Sequence, residues 1–227
     1  MMLSDVMEDY LKVIYHLQQE REGRIKTSEI AEYLDVTSPT VTSMVDKLEE
    51  RGLVEREKYK GVVLSTEGKR VALEVVRHHR LLESYLTEQL DYDWSEVHEE
   101  ADRLEHHISE KFEERVVEAL GDPEVDPHGD PIPNAELEPP VEGEGKRLTE
   151  FEEGEHVVVE RISDQDPAVL QYLSDHRIDP GVELEINEIA PFGMVTVEVD
   201  DEAVSLPERI AAHIEVDVAS ATPPANQ

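Results

Sequence analysis

Polar residues at His98, Asp102, Glu105 and His106 follow one another at i, i+4, i+7 and i+8. That spacing puts all four on one face of an α-helix. His79 and Glu83 repeat the i, i+4 step on what reads as the preceding helix, and five of the ten histidines lie between His78 and His107. Imidazole and carboxylate at this spacing, in a chain with no thiol, suit a borderline-to-hard divalent metal. The competing reading of any one pair is a solvated acidic face with stray histidines.

The chain has 227 residues, room for two domains of ordinary size. It has no apolar run of 18 residues, so no membrane-spanning helix is expected. Met1 to Tyr10 carries acids and no apolar stretch, unlike a secretory signal. Without cysteine there is no disulfide framework and no thiolate ligand. These features point to a cytoplasmic protein with no membrane partner.

The formal net charge is −34. Such a charge ordinarily argues against a nucleic-acid partner. Its distribution changes that. Residues 1–80 hold 15 acids and 13 bases, whereas the rest holds 40 acids and 8 bases. A surface that must approach phosphate would be spared in this way. The acid excess also fits a protein from a halophile, where multimolar salt screens charge within a few ångströms.

Ser4 to about Glu22 reads as a first helix, capped by Ser4, with Val6, Tyr10, Val13, Ile14 and Leu17 as its apolar stripe. A second helix starts at Thr27–Ser28. A third starts at Ser38, with Pro39 in its first turn, where a missing N–H costs nothing. Leu53 to Glu57 and Val62 to Leu64 read as strands around Lys58-Tyr59-Lys60-Gly61. Helix, short turn, helix and a small basic hairpin make a winged helix-turn-helix. Thr40, Thr42 and Ser43 lie off the apolar stripe and can reach base edges; Pro39 can touch a thymine methyl. Thr37 and Ser38 lead into the same face. Lys58 and Lys60 can meet phosphate.

Thr66 opens a long helix to about Leu90. Another is expected from Trp94-Ser95 to near Leu120-Gly121, with Leu104, Ile108, Phe112 and Val116 recurring every four residues. The two stripes serve either a dimer surface or an intramolecular core. Residues 122–147 form a proline-rich linker, stiff and extended rather than packed. From Leu148 the pattern turns to short strands at 156–162, 182–189, 194–199 and 203–206, with a helix near 167–173 and a closing run at 214–216. That makes a small barrel. The expected fold is mainly α with small β: a winged helix-turn-helix over 1–65, a helical metal-binding and dimerisation domain over 66–121, the linker, a small barrel over 148–218, and a disordered tail over 219–227.

This order resembles the diphtheria-toxin-repressor family of metal-dependent transcriptional regulators, which includes iron- and manganese-responsive repressors. The resemblance spans nearly the whole chain. It is carried by Met7-Glu8-Asp9-Tyr10-Leu11, Ser38-Pro39-Thr40-Val41, His79-Arg80-Leu81-Leu82-Glu83, Glu105-His106-His107 and the linker motif Gly129-Asp130-Pro131-Ile132-Pro133. It implies that the barrel is SH3-like, with a modulatory role. It implies a principal metal site at Asp9, Asp102, Glu105 and His106. It implies a second at His79, Glu83 and His98, with Asp166 as the nearest match to a barrel ligand.

The iron-responsive branch carries methionine and cysteine where this chain has Asp9 and Asp102. Loss of those soft ligands favours Mn(II). The manganese-responsive branch carries a glutamate where this chain has Lys12, a residue that could instead pair with a carboxylate. The implied protein is not an enzyme. It is a homodimeric repressor of metal homeostasis, activated by Mn(II) or Fe(II), on a palindromic double-stranded operator. The alternatives are a winged-helix regulator that senses an organic ligand, and a metallohydrolase; the chain has no H-E-x-x-H, phosphate loop or nucleophile elbow.

Overall fold

The structure is a computed structural model that describes residues 3–21, 23–140, 145–163, 166–191 and 193–219. The expected tail lies, beyond Ala219, outside the described residues. Contacts divide the chain into two compact units. Met1–Leu82, Asp102–Arg115 and Ile132–Pro140 make the first; Glu83–Ala101, Val116–Pro131 and Val141–Gln227 make the second.

In the first unit, α1 (Asp5–Glu20) buries Met7, Tyr10, Leu11, Val13 and Ile14. Val6, expected on that stripe, is 51% exposed, and Met7 and Leu11 take its place. Ser4 starts the helix through its backbone carbonyl, which accepts from Met7 N at 2.7 Å, and not through its hydroxyl. α2 (Thr27–Tyr33) is capped by Glu29, whose carboxylate accepts from Lys26 N at 2.7 Å. This pair, and not the Thr27–Ser28 hydroxyls, fixes the helix start. α3 (Ser38–Glu50) carries Pro39 in its first turn and buries Val41, Val45 and Leu48 against α1 and α2.

The wing pairs β1 (Val54–Glu57) with β2 (Gly61–Leu64), and Ile25 bridges to Val62. Tyr59 sits at its tip with φ 66° and 93% exposure.

α4 runs Thr66–Leu90 as one helix. The single following helix expected from the four-residue stripe is instead two, α5 (Val97–Leu104) and α6 (Glu110–Leu120). Between them, His107 N closes a turn onto the Leu104 carbonyl at 2.9 Å. Ser109 then caps α6, its hydroxyl accepting from Phe112 N at 3.3 Å. A new cap ends the old periodicity. Phe112, expected on the stripe, is consequently 42% exposed, while Val116 is buried.

The second unit holds a six-stranded antiparallel sheet ordered β3-β8-β4-β5-β6-β7. Its strands are β3 (Lys146–Arg147), β4 (His156–Ile162), β5 (Glu183–Ala190), β6 (Met194–Val199), β7 (Glu202–Pro207) and β8 (Ile214–Val218). α7 (Pro167–Asp175) packs Leu170 and Leu173 into its core. Register shifts at Val159/Arg161 and Ile186/Glu188 are the bulges that bend a short sheet of this SH3-like kind. Among the described residues β3 and β7 end the sheet, so it is an open one.

The linker is not merely extended. Asp126 Oδ1 accepts from His128 N and Asp130 N, each at 2.9 Å, and Val125 bridges to Pro131. The His128 carbonyl then accepts from Ile162 N at the end of β4 (2.9 Å). Gly129, at φ +86°, lies so close to β4 that a Cβ would stand 2.0 Å from the Glu160 carbonyl oxygen. Only glycine fits both the turn and the approach. Gly129→Ala is therefore expected to cost about 2 kcal/mol or more. Thermal unfolding checks it as a midpoint lowered by several degrees, whereas Gly121→Ala, with positive φ but open space around it, should cost less.

Candidate metal centre and nucleic-acid interface

The first unit brings α1 against the turn that follows α5. His106, in that turn, is 7% exposed in its side chain. Its Nε2 lies 2.9 Å from Asp9 Oδ1 and 3.4 Å from Glu105 Oε1. Its Nδ1 is 2.7 Å from Glu8 Oε2. One atom each from Asp9, Glu105 and His106 falls within 4.8 Å of the others, a spacing that fits a single cation. Glu8 holds the far side of the ring. A carboxylate behind a metal-facing imidazole fixes its tautomer and orientation. The sequence places Glu8 only within the motif Met7-Glu8-Asp9-Tyr10-Leu11 and gives it no role of its own. Its i, i−1 neighbourhood with Asp9 was the available signal.

Asp102 is placed differently from the expected principal set. It is half exposed and accepts from Lys12 Nζ at 2.9 Å. It groups with His79 and Glu105, again with ligand atoms within 4.8 Å. His79 turns Nδ1 to Glu105 Oε2 at 2.5 Å and to Asp102 Oδ1 at 3.3 Å. Glu105, 1% exposed, is thus common to both groupings. Burial pushes its acidity down, but His79 and Lys12 outweigh that and hold the carboxyl below the usual range. Burial also opposes the Lys12 charge, yet Glu105 and Asp102 raise the ammonium above the ordinary lysine value. Beside this centre, Arg77 and His78 both bind Glu113. The His78 hydrogen bond leads in holding that carboxyl down at about 2.

The second unit holds a separate group. Glu83, Asp126 and His128 are all buried, and their ligand atoms lie within 4.8 Å of one another. Glu83 Oε1 lies 3.1 Å from His98 Nδ1, and Glu83 Oε2 lies 3.7 Å from His128 Nδ1. His128 donates Nε2–H to the Trp94 carbonyl at 3.0 Å, which leaves Nδ1 turned toward Glu83. His79 stands one turn before Glu83 on α4, as the i, i+4 reading requires. Asp166 instead caps α7, accepting from Ala168 N at 2.9 Å. Asp126 and His128 were missed because a proline-rich stretch reads as a spacer. Two ligand types separated by one proline were the signal available.

On the reading face, Ser38, Pro39, Thr40 and Ser43 are exposed. Thr37 and Thr40 share a hydroxyl hydrogen bond at 2.8 Å. Thr42 is only partly exposed and donates to the Ser38 carbonyl at 3.0 Å. Its hydroxyl retains acceptor capacity alone. Lys58 is exposed, 5.1 Å above the Tyr59 ring, while Lys60 pairs with Glu57 at 2.6 Å.

Residues 2–62 match the family model of the iron-dependent repressor N-terminal DNA-binding domain. Residues 65–134 match that of the iron-dependent repressor metal-binding and dimerisation domain, and residues 146–218 match the FeoA domain. The iron-dependent repressor IdeR of Mycobacterium tuberculosis (strain ATCC 25618 / H37Rv) is 35% identical, over 95% of this chain and 98% of its own. The chain belongs to the diphtheria-toxin-repressor family. The diphtheria toxin repressor of Corynebacterium glutamicum is 33% identical, over 95% of this chain and 97% of its own. A solved manganese-dependent transcriptional repressor in complex with manganese superposes with a TM-score of 0.84 at 37% identity, covering 94% of this chain and all of that one. Members of this family are metal-responsive DNA-binding regulators, and the winged helix, helical segment and FeoA-type sheet here are its three parts. No helix among the described residues is long and apolar enough to cross a membrane.

The Asp9 hydrogen bond, reinforced by Glu8 against the cost of burial, raises His106 to about 9. A histidine raised on folding stabilises the native state fully below its unfolded pKa of about 6.5 and loses that contribution as pH rises through 9. In metal-free protein, the urea unfolding free energy should therefore fall between pH 7 and 9.5 by roughly 1–3 kcal/mol. His106→Gln should flatten that limb.

Proposed function

We propose that this chain is a cytoplasmic, homodimeric repressor of metal homeostasis that binds Mn(II) or Fe(II) as co-repressor. The carrying observation is the convergence of Asp9 on α1 with Glu105 and His106 after α5. α1 is also packed into the core of the winged helix. Asp9, Glu105 and His106 would hold the ion, and Glu83, Asp126 and His128, with His98 beside them, would hold another. The donor set fits: carboxylate and imidazole without thiolate or thioether suits Mn(II) and Fe(II) better than softer ions. A bound divalent ion supplies positive charge that neutralises clustered carboxylates.

The chain's residues do the rest. Asp9 ties the helix that precedes the reading head to the turn carrying His106. Glu8 keeps His106 turned toward the ion. This tie favours one placement of α3, so that two copies meet successive major grooves of a palindrome. It favours that placement only as far as the DNA-competent state holds metal more tightly than other states do. Thr40 and Ser43 are the exposed hydroxyls for base edges, and Lys58 is the phosphate contact of the wing. Repression is what the relatives' names state, and regulation by binding is the reading carried to this chain.

The test is an operator-binding titration, by fluorescence anisotropy, on duplexes selected by the Mn(II)-loaded protein. Mn(II), Fe(II) and Zn(II) are compared, each against chelator, at low and molar salt. Metal should tighten binding at least tenfold, and His106→Ala should abolish the metal dependence. Undiminished metal response in His106→Ala refutes the site. Lys58→Ala should weaken binding to all sequences alike and lower the log–log salt slope by about 0.9.

A further inference from the structure

Lys12 lies on α1, one turn beyond Glu8, and its side chain is only 13% exposed. Its ammonium donates to Asp102 Oδ1 at 2.9 Å and to Glu105 Oε2 and Oε1 at 2.7 and 3.0 Å. It lies 3.2 Å from His79 Nδ1. These partners are the same three residues, His79, Asp102 and Glu105, whose ligand atoms are spaced for a cation of their own. Glu105 therefore faces two cation positions. One lies toward Asp9 and His106. The other is filled by Lys12 Nζ.

We propose that Lys12 is a built-in cation that takes the place of a second metal ion in the first unit. The inference rests on the metal-binding reading above and fixes its stoichiometry. Asp102 then serves as a partner of Lys12 and not as a metal ligand. The first unit holds one divalent ion, and Glu105 bridges that ion to an ammonium.

Charge supports this assignment. Glu8, Asp9, Asp102 and Glu105 bring four negative charges into one neighbourhood. One divalent ion with Lys12 leaves a single excess charge, and two divalent ions would leave none only if the lysine were gone. An ammonium and a second divalent ion cannot share three ligands at hydrogen-bond distance without strong like-charge repulsion. A lysine is a compact point charge with three donors, and here those donors have found carboxylate partners. Because it is covalently held, it orders Asp102 and Glu105 before any metal arrives. The response to metal in this unit is accordingly that of one ion and not of a cooperative pair.

The experiment is equilibrium dialysis of the full-length protein with Mn(II), counting ions per chain. It is paired with low-temperature electron paramagnetic resonance. In the wild type, Asp102→Asn should leave the ion count unchanged, whereas Asp9→Asn should lower it by one. Lys12→Glu should raise the count by one. The added ion should be magnetically coupled to its neighbour through Glu105, as expected for ions about 4 Å apart. Adding Asp102→Asn to Lys12→Glu should bring the count back.

If Asp102→Asn lowers the wild-type count, or Lys12→Glu leaves it unchanged while circular dichroism shows native helix content, Lys12 is not a metal surrogate. Coupled manganese in the wild type overturns the proposal even if Lys12→Glu fails to fold. If Asp9→Asn and His106→Gln both leave the count unchanged, the parent metal site falls and the Lys12 proposal falls with it. Loss on Asp102→Asn with a normal Asp9 response sinks only the lysine's role.

Discussion

A carboxylate almost wholly withdrawn from water organises the first unit. Glu105 is 1% exposed, and an isolated buried carboxylate is costly. It is tolerated because both of its oxygens are engaged, by Lys12, by His79 and by the edge of His106. Lys12 comes from the amino-terminal helix, His79 from the long helix, and His106 from the turn next to Glu105. One buried anion therefore fastens three segments remote in sequence. Removing one partner would leave the buried charge less fully compensated, which is worse than losing an exposed ion pair. The geometry proposed to bind metal is a consequence of this arrangement.

The same distinction separates the charges that matter from those that do not. The net charge of −34 is mostly spread over exposed carboxylates. Salt screens such charges within a few ångströms at high concentration. The pairs around Glu105, Glu113 and Glu83 are withdrawn from solvent and far less screened. In concentrated salt a phosphate contact from Lys58 of the wing, as proposed, would lose much of its force, as counterion release predicts. Under the same proposal, hydroxyl and apolar contacts from the face holding Pro39, Thr40 and Ser43 would then carry more of the recognition.

Much of this was legible in the sequence. Period-3.6 stripes and Pro39 inside the start of α3 marked the helices of the winged unit. Alternating runs marked most strands of the second unit within a residue or two. The i, i+4 spacing of His79 and Glu83 holds because α4 is one unbroken helix. The same counting failed beyond Leu104. Periodicity assumes continuity, and Ser109 starts a new helix that a face count cannot see. Glu105 and His106 reach Asp9 from a turn, not from a helix face. Asp126 and His128 were hidden for a different reason: their burial comes from a docked turn set by Gly129 against β4. The partner of Lys12 could be named only as a carboxylate, because the sequence does not say which acid remote in the chain is brought beside it; Asp102 and Glu105 are those acids.

The proposed regulation requires a divalent ion joining the first helix to the turn after α5. Anomalous diffraction at the manganese absorption edge, from crystals grown with Mn(II), measures this directly. The account predicts a peak in the first unit bounded by Asp9, Glu105 and His106, with Lys12 Nζ still against Asp102. An absence of anomalous density there, with His106 still sandwiched between Glu8 and Asp9 at saturating Mn(II), would contradict it.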